Sequence, residues 1–256
     1  MTVPLMTLST SHVLLIPSYN PGDLIVNTVQ EALAQWQPVW VVCDGSTDGS
    51  TEILQKMCED IPNLRVIVMP FNQGKGAAVM EGLRQALESG FTHALTMDAD
   101  RQHPACLIPQ FMNISTDNPD SMILGKPVFD DSAPQLRVQG RKISNFLANL
   151  DTLWMGIGDS LYGFRVYPIA PLLHIMQQHR FMRRFDFDIE AAVRLCWKNI
   201  RPINVDAPVK YLNADEGGVS HFNYWSDNAL LTWMHVRLIV GFIVRLPLLL
   251  WRKLNS

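Results

Sequence analysis

Ala94-Leu95-Thr96-Met97-Asp98-Ala99-Asp100 is an apolar run that ends in two carboxylates one residue apart. Such a run is typical of a buried parallel strand that delivers its last residues to the carboxyl edge of a sheet, where open α/β folds bind ligands. Two carboxylates held there repel each other unless a cation lies between them, and oxygen ligands suit Mg²⁺ or Mn²⁺. Taken alone, however, Asp98 and Asp100 fit better as caps of the helix that Pro104 predicts. The rest of the chain has to distinguish the two interpretations.

Three more apolar segments precede this run, and each leads through a polar loop into a predicted helix. Strands are predicted at 12–16, 39–42 and 65–69, and helices at 23–35, from 48 or 50 to 59, and at 77–88. This alternation predicts right-handed crossovers and a parallel sheet, in which the loops after the strands share one edge. We therefore expect Tyr19, Asp44, Lys75 and the Asp98/Asp100 pair to meet in space.

The second half of the chain departs from this alternation. Its pattern predicts a strand at 121–125, a loop rich in Asp and Pro at 126–135, a helix at 136–153, an extended segment at 159–166, helices at 168–178 and 187–197, and two short strands within 201–211. Neither an internal repeat nor a low-complexity linker is visible. One α/β domain over 12–223 is therefore predicted, with a mostly parallel sheet flanked by helices, between an N-terminal tail at 1–11 and a C-terminal tail at 224–256.

Composition excludes several classes of protein. A net charge of −3 and an isoelectric point near 6.1 provide no basic surface for nucleic acid. The four cysteines form no C-x-x-C pair, so neither a disulfide framework nor a zinc site is indicated. The first eleven residues lack a charged n-region and a long apolar region, so we expect a cytoplasmic protein.

The segment from Trp225 to Trp251 is mostly apolar but carries Arg237, Arg245 and Pro247. A bilayer span needs about 20 mostly uncharged residues, and the interruption at Arg245 and Pro247 is expected to leave no such run. We predict an amphipathic helix, or a pair bent at Pro247, lying in the headgroup layer on the inner face of the membrane. The alternative is a helix that packs on the domain or forms a homodimer.

The two commonest nucleotide-binding motifs, G-x-x-x-x-G-K-[ST] and G-x-G-x-x-G after the first strand, are absent. Four ordered motifs are present instead: Pro17-Ser18-Tyr19-Asn20, Asp44-Gly45-Ser46-Thr47-Asp48-Gly49, Asn72-Gln73-Gly74-Lys75-Gly76 and Asp98-Ala99-Asp100-Arg101-Gln102-His103. In this order and spacing they resemble family-two glycosyltransferases of the GT-A (Rossmann-like) fold. Within that family they resemble most the branch of polyprenyl-phosphate (dolichol-phosphate) mannosyl- and glucosyltransferases.

The resemblance implies a role for each matching position. The base and ribose of a nucleotide sugar are expected to contact Pro17, Tyr19, Asn20 and Asp44. The divalent metal on the diphosphate, Mg²⁺ or Mn²⁺, is expected to be surrounded by Asp98, Asp100 and Gln102. Lys75 is expected to add positive charge near the same phosphates, and the alternative is an exposed lysine at a helix start.

Two positions depart from the family pattern. The family usually has two adjacent acids after the second strand, and the first of them is Cys43 here. Because Asp44 is kept, this departure concerns the choice of nucleotide rather than binding itself. Arg101 also replaces a residue that is commonly small.

The acceptor side is predicted from fewer matches. Gly163-Phe164-Arg165 matches a Gly-Phe-Arg element of the branch, so Arg165 is a candidate acceptor contact. Asp188 is the candidate general base, because a hydroxyl acceptor must lose its proton during attack. A phosphate acceptor is nucleophilic already, and Asp188 would then only position groups.

Charged residues around Asp188 have alternative interpretations. The cluster of Arg180, Arg183 and Arg184 is predicted either to bind a lipid phosphate or only to lie on the surface of a loop. Glu190 and Arg194 stand one helical turn apart, as in a simple surface ion pair. His221, in a glycine-containing segment, is a candidate ligand of the metal or the diphosphate.

These features predict an inverting, metal-dependent glycosyltransferase that moves a sugar from a UDP- or GDP-sugar to a lipid-linked or hydrophobic acceptor. One alternative is a metal-dependent phosphohydrolase, although such enzymes usually place an Asp-x-Asp pair after the first strand. The other is a membrane-bound scaffold that has lost activity, which Cys43 would explain.

Overall fold

The computed structural model describes residues 8–129, 135–209 and 224–255. Its strands are β1 (His12–Ser18), β2 (Val39–Asp44), β3 (Leu64–Met69), β4 (His93–Thr96), β5 (Ser121–Val128), β6 (Arg165–Pro168) and β7 (Arg201–Pro208). Its helices are α1 (Leu24–Leu33), α2 (Ser50–Asp60), α3 (Lys75–Glu88), α4 (Ile108–Asp117), α5 (Gln135–Asp151), α6 (Ile169–Gln178), α7 (Phe187–Trp197) and α8 (Tyr224–Leu254), with a 3₁₀ turn at Ala105–Leu107 before α4.

The seven strands form one sheet in the order β3-β2-β1-β4-β6-β5-β7. β1 lies between β2 and β4 and pairs with both in parallel, with Leu14 opposite Val39 and Leu95. Only β6 runs against the others, since it is antiparallel to both β4 and β5. The prediction of a mostly parallel sheet is confirmed, and the loops after β1, β2, β3 and β4 do share one edge.

Two segments of the second half differ from the prediction. The expected extended segment at 159–166 is a strand only at its last two residues, which begin β6. The chain bends at 160–161, where the Asp159 carboxylate accepts the backbone N–H groups of Leu161 and Tyr162. The two short strands expected within 201–211 are one strand, β7, which pairs with β5 along all eight residues. Pro208 does not interrupt it, because β7 is an edge strand and needs no second ladder of hydrogen bonds.

The core lies on both faces of the sheet. All seven residues of β1 are buried, and successive side chains point to opposite faces. Val13 and Leu15 belong to the cluster under α3, α6 and α7, whereas Leu14 and Ile16 belong to the cluster under α1 and α4. This double coverage explains why β1 and β2, which are buried along their whole length, are mostly apolar.

Helix α8 continues through Pro247 as one helix. From Asp227 to Leu254 it is long and apolar enough to cross a membrane by length and composition alone. The expectation that Arg245 and Pro247 leave no such run is therefore wrong. Met234 and Leu238 pack against the domain, while most of the apolar stretch is not buried.

Asp151, the last residue of α5, is fully buried. Neither of its carboxylate oxygens has a hydrogen-bond partner in the described part of the chain. Burial raises the pKa of this carboxyl group to about 7. Asp151 is therefore protonated in the folded state at pH values where the unfolded chain, with a pKa of about 4, has already lost the proton.

Asp151→Asn should remove a pH dependence of stability. In the wild type, stability falls as the pH rises from about 4 to about 7, because the unfolded state binds fewer protons than the folded state in this window. The amide does not ionise. The melting temperature of Asp151→Asn should therefore rise relative to that of the wild type as the pH increases from 5 to 8. Asp117→Asn, at an exposed position of α4, serves as the control. Parallel melting curves for the wild type and Asp151→Asn would contradict the assignment.

Candidate active site

Three charged side chains meet at the carboxyl edge of the sheet. Lys75 is the first residue of α3, Asp98 follows β4, and Asp188 lies in the first turn of α7. The Lys75 Nζ lies 2.7 Å from Asp98 Oδ1 and 2.8 Å from Asp188 Oδ2. With 14% of its side chain exposed, Lys75 is not the exposed lysine of the alternative interpretation.

The charges of this cluster stabilise one another. Burial opposes the charge of Lys75, but the carboxylates of Asp188 and Asp98 outweigh it and raise the lysine pKa. Burial likewise opposes the charge of Asp98, and Lys75 and then His103 lower its pKa below the usual value. For Asp100, burial and then the negative charge of Asp98 raise the pKa, and the opposing effects of His103 and Lys75 are too small to offset them. Asp98 is thus held as an anion, while Asp100 remains short of positive charge.

The Asp-x-Asp segment does not cap the following helix. Asp100 Oδ1 accepts the backbone N–H of Gln102 at 3.0 Å, which closes a turn. Neither the 3₁₀ turn nor α4 has a side-chain cap at its start. The helix-cap interpretation is therefore wrong, and both carboxylates remain at the edge of the sheet.

His103 is a site residue to which the sequence alone assigned no role. It is buried, and its Nδ1 accepts the backbone N–H of Asp98 at 3.0 Å, while its Nε2 lies 3.6 Å from Asp98 Oδ2. Burial lowers its pKa, against the charges of Asp98 and Asp100, which raise it. Because Nδ1 accepts an N–H, Nε2 is the ring nitrogen that carries a proton. In the sequence, the clue that His103 belongs to the site was its position directly after Gln102 in the fourth motif.

The side chains at this edge provide only some of the ligands that a hard divalent cation needs. In the described ranges, no three His, Cys, Asp or Glu side chains are grouped so that they could hold a metal ion. Asp98 and Asp100 offer two carboxylates, and Mg²⁺ is commonly held by one or two carboxylates together with the phosphates of a substrate. The residues fit a metal that arrives with a phosphorylated ligand.

The loops after β1, β2 and β3 are tied to one another by side chains of the predicted nucleotide site. Each oxygen of the Asp44 carboxylate accepts one backbone N–H of the loop before α3, from Gln73 at 2.8 Å and from Gly74 at 2.7 Å. Asn20 Oδ1 accepts the N–H of Thr47 at 2.7 Å. Asp44 therefore positions the loop that carries Lys75. Pro17 lies within β1, and Tyr19 is half-buried beside Asn20.

The predicted acceptor residues have different surroundings. Arg165 is fully buried, and its guanidinium donates to the backbone carbonyls of Tyr162, Asp159 and Asp188 and to the Tyr167 hydroxyl. These bonds leave Arg165 no surface for an acceptor phosphate, so this prediction is replaced by a role in positioning the backbone of Asp188.

Arg183 and Arg184 also differ from each other. Arg183 donates to the carbonyls of Phe181, Met176 and His179, which commits it to its own loop and to the end of α6. Arg184 is exposed and lies beside Gly74, where its charge acts on Asp44. Of the two, only Arg184 faces solvent near the predicted donor site. Its contact with a ligand stays a prediction.

Glu190 and Arg194 are not a surface pair. Glu190 is fully buried, and its carboxylate lies 2.6 Å from Arg194 and 2.7 Å from Arg237 of α8. Arg237 also contacts Asp186 and packs over the ring of Phe181 at 3.8 Å. These bonds tie α8 to α7. His221 lies outside the described residues, and its predicted ligand role stays a prediction.

Comparison with known proteins places these features in a family context. The model of glycosyl transferase family 2 matches residues 13–189. A UDP-N-acetylglucosamine--dolichyl-phosphate N-acetylglucosaminyltransferase of Methanococcus voltae is 26% identical over 196 residues, covering 70% of this chain and 78% of that protein. An undecaprenyl-phosphate 4-deoxy-4-formamido-L-arabinose transferase of Yersinia pestis is 26% identical over 178 residues. That alignment covers 66% of this chain but only 53% of the length of the Yersinia protein.

A solved structure shows the same fold. Glucosyl-3-phosphoglycerate synthase from Mycobacterium tuberculosis, crystallised with Mn²⁺, uridine diphosphate and glucosyl-3-phosphoglycerate, superimposes with a TM-score of 0.57. The alignment covers 93% of this chain and 80% of that chain at 16% sequence identity. At this identity the likeness concerns the fold.

Lys75→Met should destabilise the protein in a pH-dependent way. Without the ammonium, Asp98 and Asp188 lose the cation that bridges them. Breaking a buried charge pair costs about 3 to 5 kcal/mol, and we expect about 3 kcal/mol here because Asp98 is partly exposed. The loss should shrink at low pH, where protonation relieves the repulsion. Urea unfolding at pH 7 and pH 5 measures it.

Lys126→Met provides the matched control, because Lys126 pairs with Asp206 at 3.5 Å on the surface, where both side chains are more than half exposed. This change should have little effect, as surface pairs contribute at most about 1 kcal/mol. Equal losses in the two variants would show that the Lys75 bridge is not a buried charge pair.

Proposed function

Because the chain belongs to glycosyl transferase family 2, we propose that it transfers a sugar from a nucleotide diphosphate sugar to a polyprenyl phosphate or a similar hydrophobic acceptor at a membrane surface. The observation that carries this proposal is the Lys75 bridge between Asp98 and Asp188, which joins the predicted donor and acceptor sides at one edge of the sheet. The names of two relatives, which concern dolichyl phosphate and undecaprenyl phosphate, support the acceptor class.

On the donor side, Asp98 and Asp100 would hold Mg²⁺ or Mn²⁺, with Gln102 beside them. Such an ion supplies positive charge against the negative charge that develops on the departing diphosphate. The fit rests on Asp100, whose pKa is raised by burial and by Asp98, so that a cation here relieves an existing repulsion. The nucleotide, UDP or GDP, would contact the tied loops that carry Tyr19, Asn20 and Asp44.

On the acceptor side, Asp188 has one oxygen bound by Lys75 and one that is buried without a hydrogen-bond partner in the ranges described. That oxygen is suited to accept the proton of an acceptor hydroxyl. With a phosphate acceptor, which is already nucleophilic, Asp188 and Lys75 orient the attacking group instead. A single displacement from the face opposite the diphosphate would invert the anomeric centre without a covalent enzyme intermediate.

The membrane location rests on α8. Its exposed residues include Trp233, Val240, Val244 and Trp251, which form an apolar face bounded by tryptophans. Such a face suits the headgroup layer of a bilayer. We therefore place the enzyme on the cytoplasmic face of the inner membrane.

Purified protein should release nucleoside diphosphate from a UDP- or GDP-sugar when Mn²⁺ and undecaprenyl phosphate are both present, and a glycolipid should form in equal amount. Asp98→Asn and Asp100→Asn should each lower kcat roughly a hundredfold or more, the size of effect seen when one electrostatic contact to a transition state is lost. Asp206→Asn, a largely exposed carboxylate, is the control.

The rival functions predict other outcomes. A phosphohydrolase would not release nucleoside diphosphate from a nucleotide sugar, because hydrolysis of the diphosphate gives a nucleoside monophosphate and a sugar phosphate. An inactive scaffold would release nothing from any donor, and its thermal stabilisation by UDP or GDP with Mn²⁺ would be unchanged in the Asp98 and Asp100 variants.

Gly163 leaves room for the Lys75 bridge. A Cβ at this position would lie 2.6 Å from Lys75 Nζ and 2.9 Å from Asp98 Oδ2. Both atoms end flexible side chains, so they can move aside without disturbing the backbone. A methyl group here therefore displaces the site rather than the fold.

Gly163→Ala should lower kcat at least tenfold, since small misplacements of catalytic groups are costly, while the melting temperature changes little. Gly140→Ala, on α5 where a Cβ meets no atom within 4 Å, is the matched control and should keep full activity. Full activity of Gly163→Ala would show that the position of the Lys75 ammonium does not matter for transfer.

A further inference from the structure

A second polar pocket lies away from the Lys75 site. It has a volume of about 200 Å³ and is enclosed by the ends of α6 and α7 and the last turns of α8. Its polar lining consists of Gln178, His179, Arg194, Lys198, Arg245 and Arg252. Arg194 lies six residues after Asp188 on α7, which places it roughly 9 Å further along the helix at about 1.5 Å per residue. The pocket is therefore not part of the catalytic cluster.

The pocket carries an excess of positive charge. Arg194 is paired with Glu190, the one carboxylate among the described residues that pairs with any of these cations. Arg245 and Arg252 each donate one N–H to a backbone carbonyl, of Gly241 at 3.0 Å and of Trp197 at 2.8 Å. Lys198, Arg245 and Arg252 are therefore three cations in the pocket whose charge no acid among the described residues balances.

The arginines are held in place before any ligand arrives. Arg194 and Arg245 lie against the ring of Trp197, with their guanidinium carbons 5.6 and 4.7 Å from its centroid. Arg194 also donates to His179 Nε2 at 2.9 Å. Burial and the charge of Arg194 lower the pKa of His179, so its ring is neutral and orients Arg194. A preorganised pair of guanidinium groups is the arrangement that binds phosphate oxygens well.

An exposed apolar stripe runs past the mouth of this pocket. It consists of residues that recur every three or four positions along α8, namely Trp233, Val236, Val240, Val244, Leu248, Trp251 and Leu254. Leu248 belongs both to the stripe and to the lining of the pocket. A phosphate in the pocket therefore lies directly beside a surface that suits hydrocarbon chains.

We propose that this pocket binds the phosphate of an anionic glycerophospholipid, whose acyl chains lie along the apolar stripe of α8. The proposal rests on the membrane location given under the proposed function, and it adds a lipid that is neither donor nor acceptor. Basic pockets next to apolar helices bind lipid headgroups by this combination of charge and burial. The bound lipid would hold α8 against α6 and α7.

Vesicle sedimentation of the full chain tests the proposal, with vesicles of phosphatidylcholine alone and with added phosphatidylglycerol. Lys198→Gln/Arg245→Gln should weaken binding to the phosphatidylglycerol vesicles roughly thirtyfold, at about 1 kcal/mol for each of the two cations near the surface, and leave binding to phosphatidylcholine unchanged. The control Lys56→Gln/Arg201→Gln removes the same charge at exposed positions outside the pocket and should keep wild-type binding. Lys198→Glu, a single change at an exposed residue, repeats the test if the double variant is unstable.

Equal losses in the pocket and control variants, or no loss in either, would overturn the proposal. If inorganic phosphate raises the melting temperature of the wild type and not of the pocket variant, while phosphatidylglycerol has no effect on binding, the site takes free phosphate and the lipid assignment is wrong. Failure to bind either kind of vesicle would refute the membrane location itself. Sugar transfer is measured in a separate assay with acceptor dissolved in detergent. A failed transfer assay would count against the proposed function but would not affect the vesicle-binding results.

Discussion

The ammonium group of Lys75 is the contact on which the active-site edge depends. It joins the loop after β4 to the starts of α3 and α7, three elements far apart in the chain. Two carboxylates cannot share a largely buried site without a cation, and a buried lysine cannot stay charged without carboxylates. Each of the three groups is therefore stabilised as a charge by the other two. Gly163 provides the space, and Asp44 holds the loop from which Lys75 projects.

A second buried network connects this site to the C-terminal helix. Arg237 of α8 contacts Glu190 and Asp186, and Asp186 in turn accepts the backbone N–H groups of Met182 and Arg184. Helix α7 thus carries Asp188 at its start, the Glu190 pairs in its first turns and the basic pocket at its end. If α8 lies on a bilayer, α7 links the membrane contact to the acceptor side of the site.

Several residues that match ligand-binding motifs hold the backbone instead. Arg165 satisfies carbonyl groups in a fully buried turn, and Arg183 does the same for its own loop. Burying an arginine is costly unless its donors are used, so these bonds are a condition of the fold. A motif shows that a residue type is required at a position. It does not show whether the ligand or the protein takes its hydrogen bonds.

The sequence alone determined the mostly parallel α/β sheet, the bounds of most elements of the first half and of α7, the family, and the edge at which Asp98 and Lys75 would meet. These follow from local periodicity and from the rule that parallel strands end at a common edge. Only the tertiary structure decided that Lys75 bridges Asp98 to Asp188, that His103 supports Asp98, that the chain bends at 160–161 before β6, and that Glu190 pairs with Arg237 inside the protein. Each of these depends on side chains brought together from distant segments, and on which of their polar groups lose contact with water, which no local pattern records.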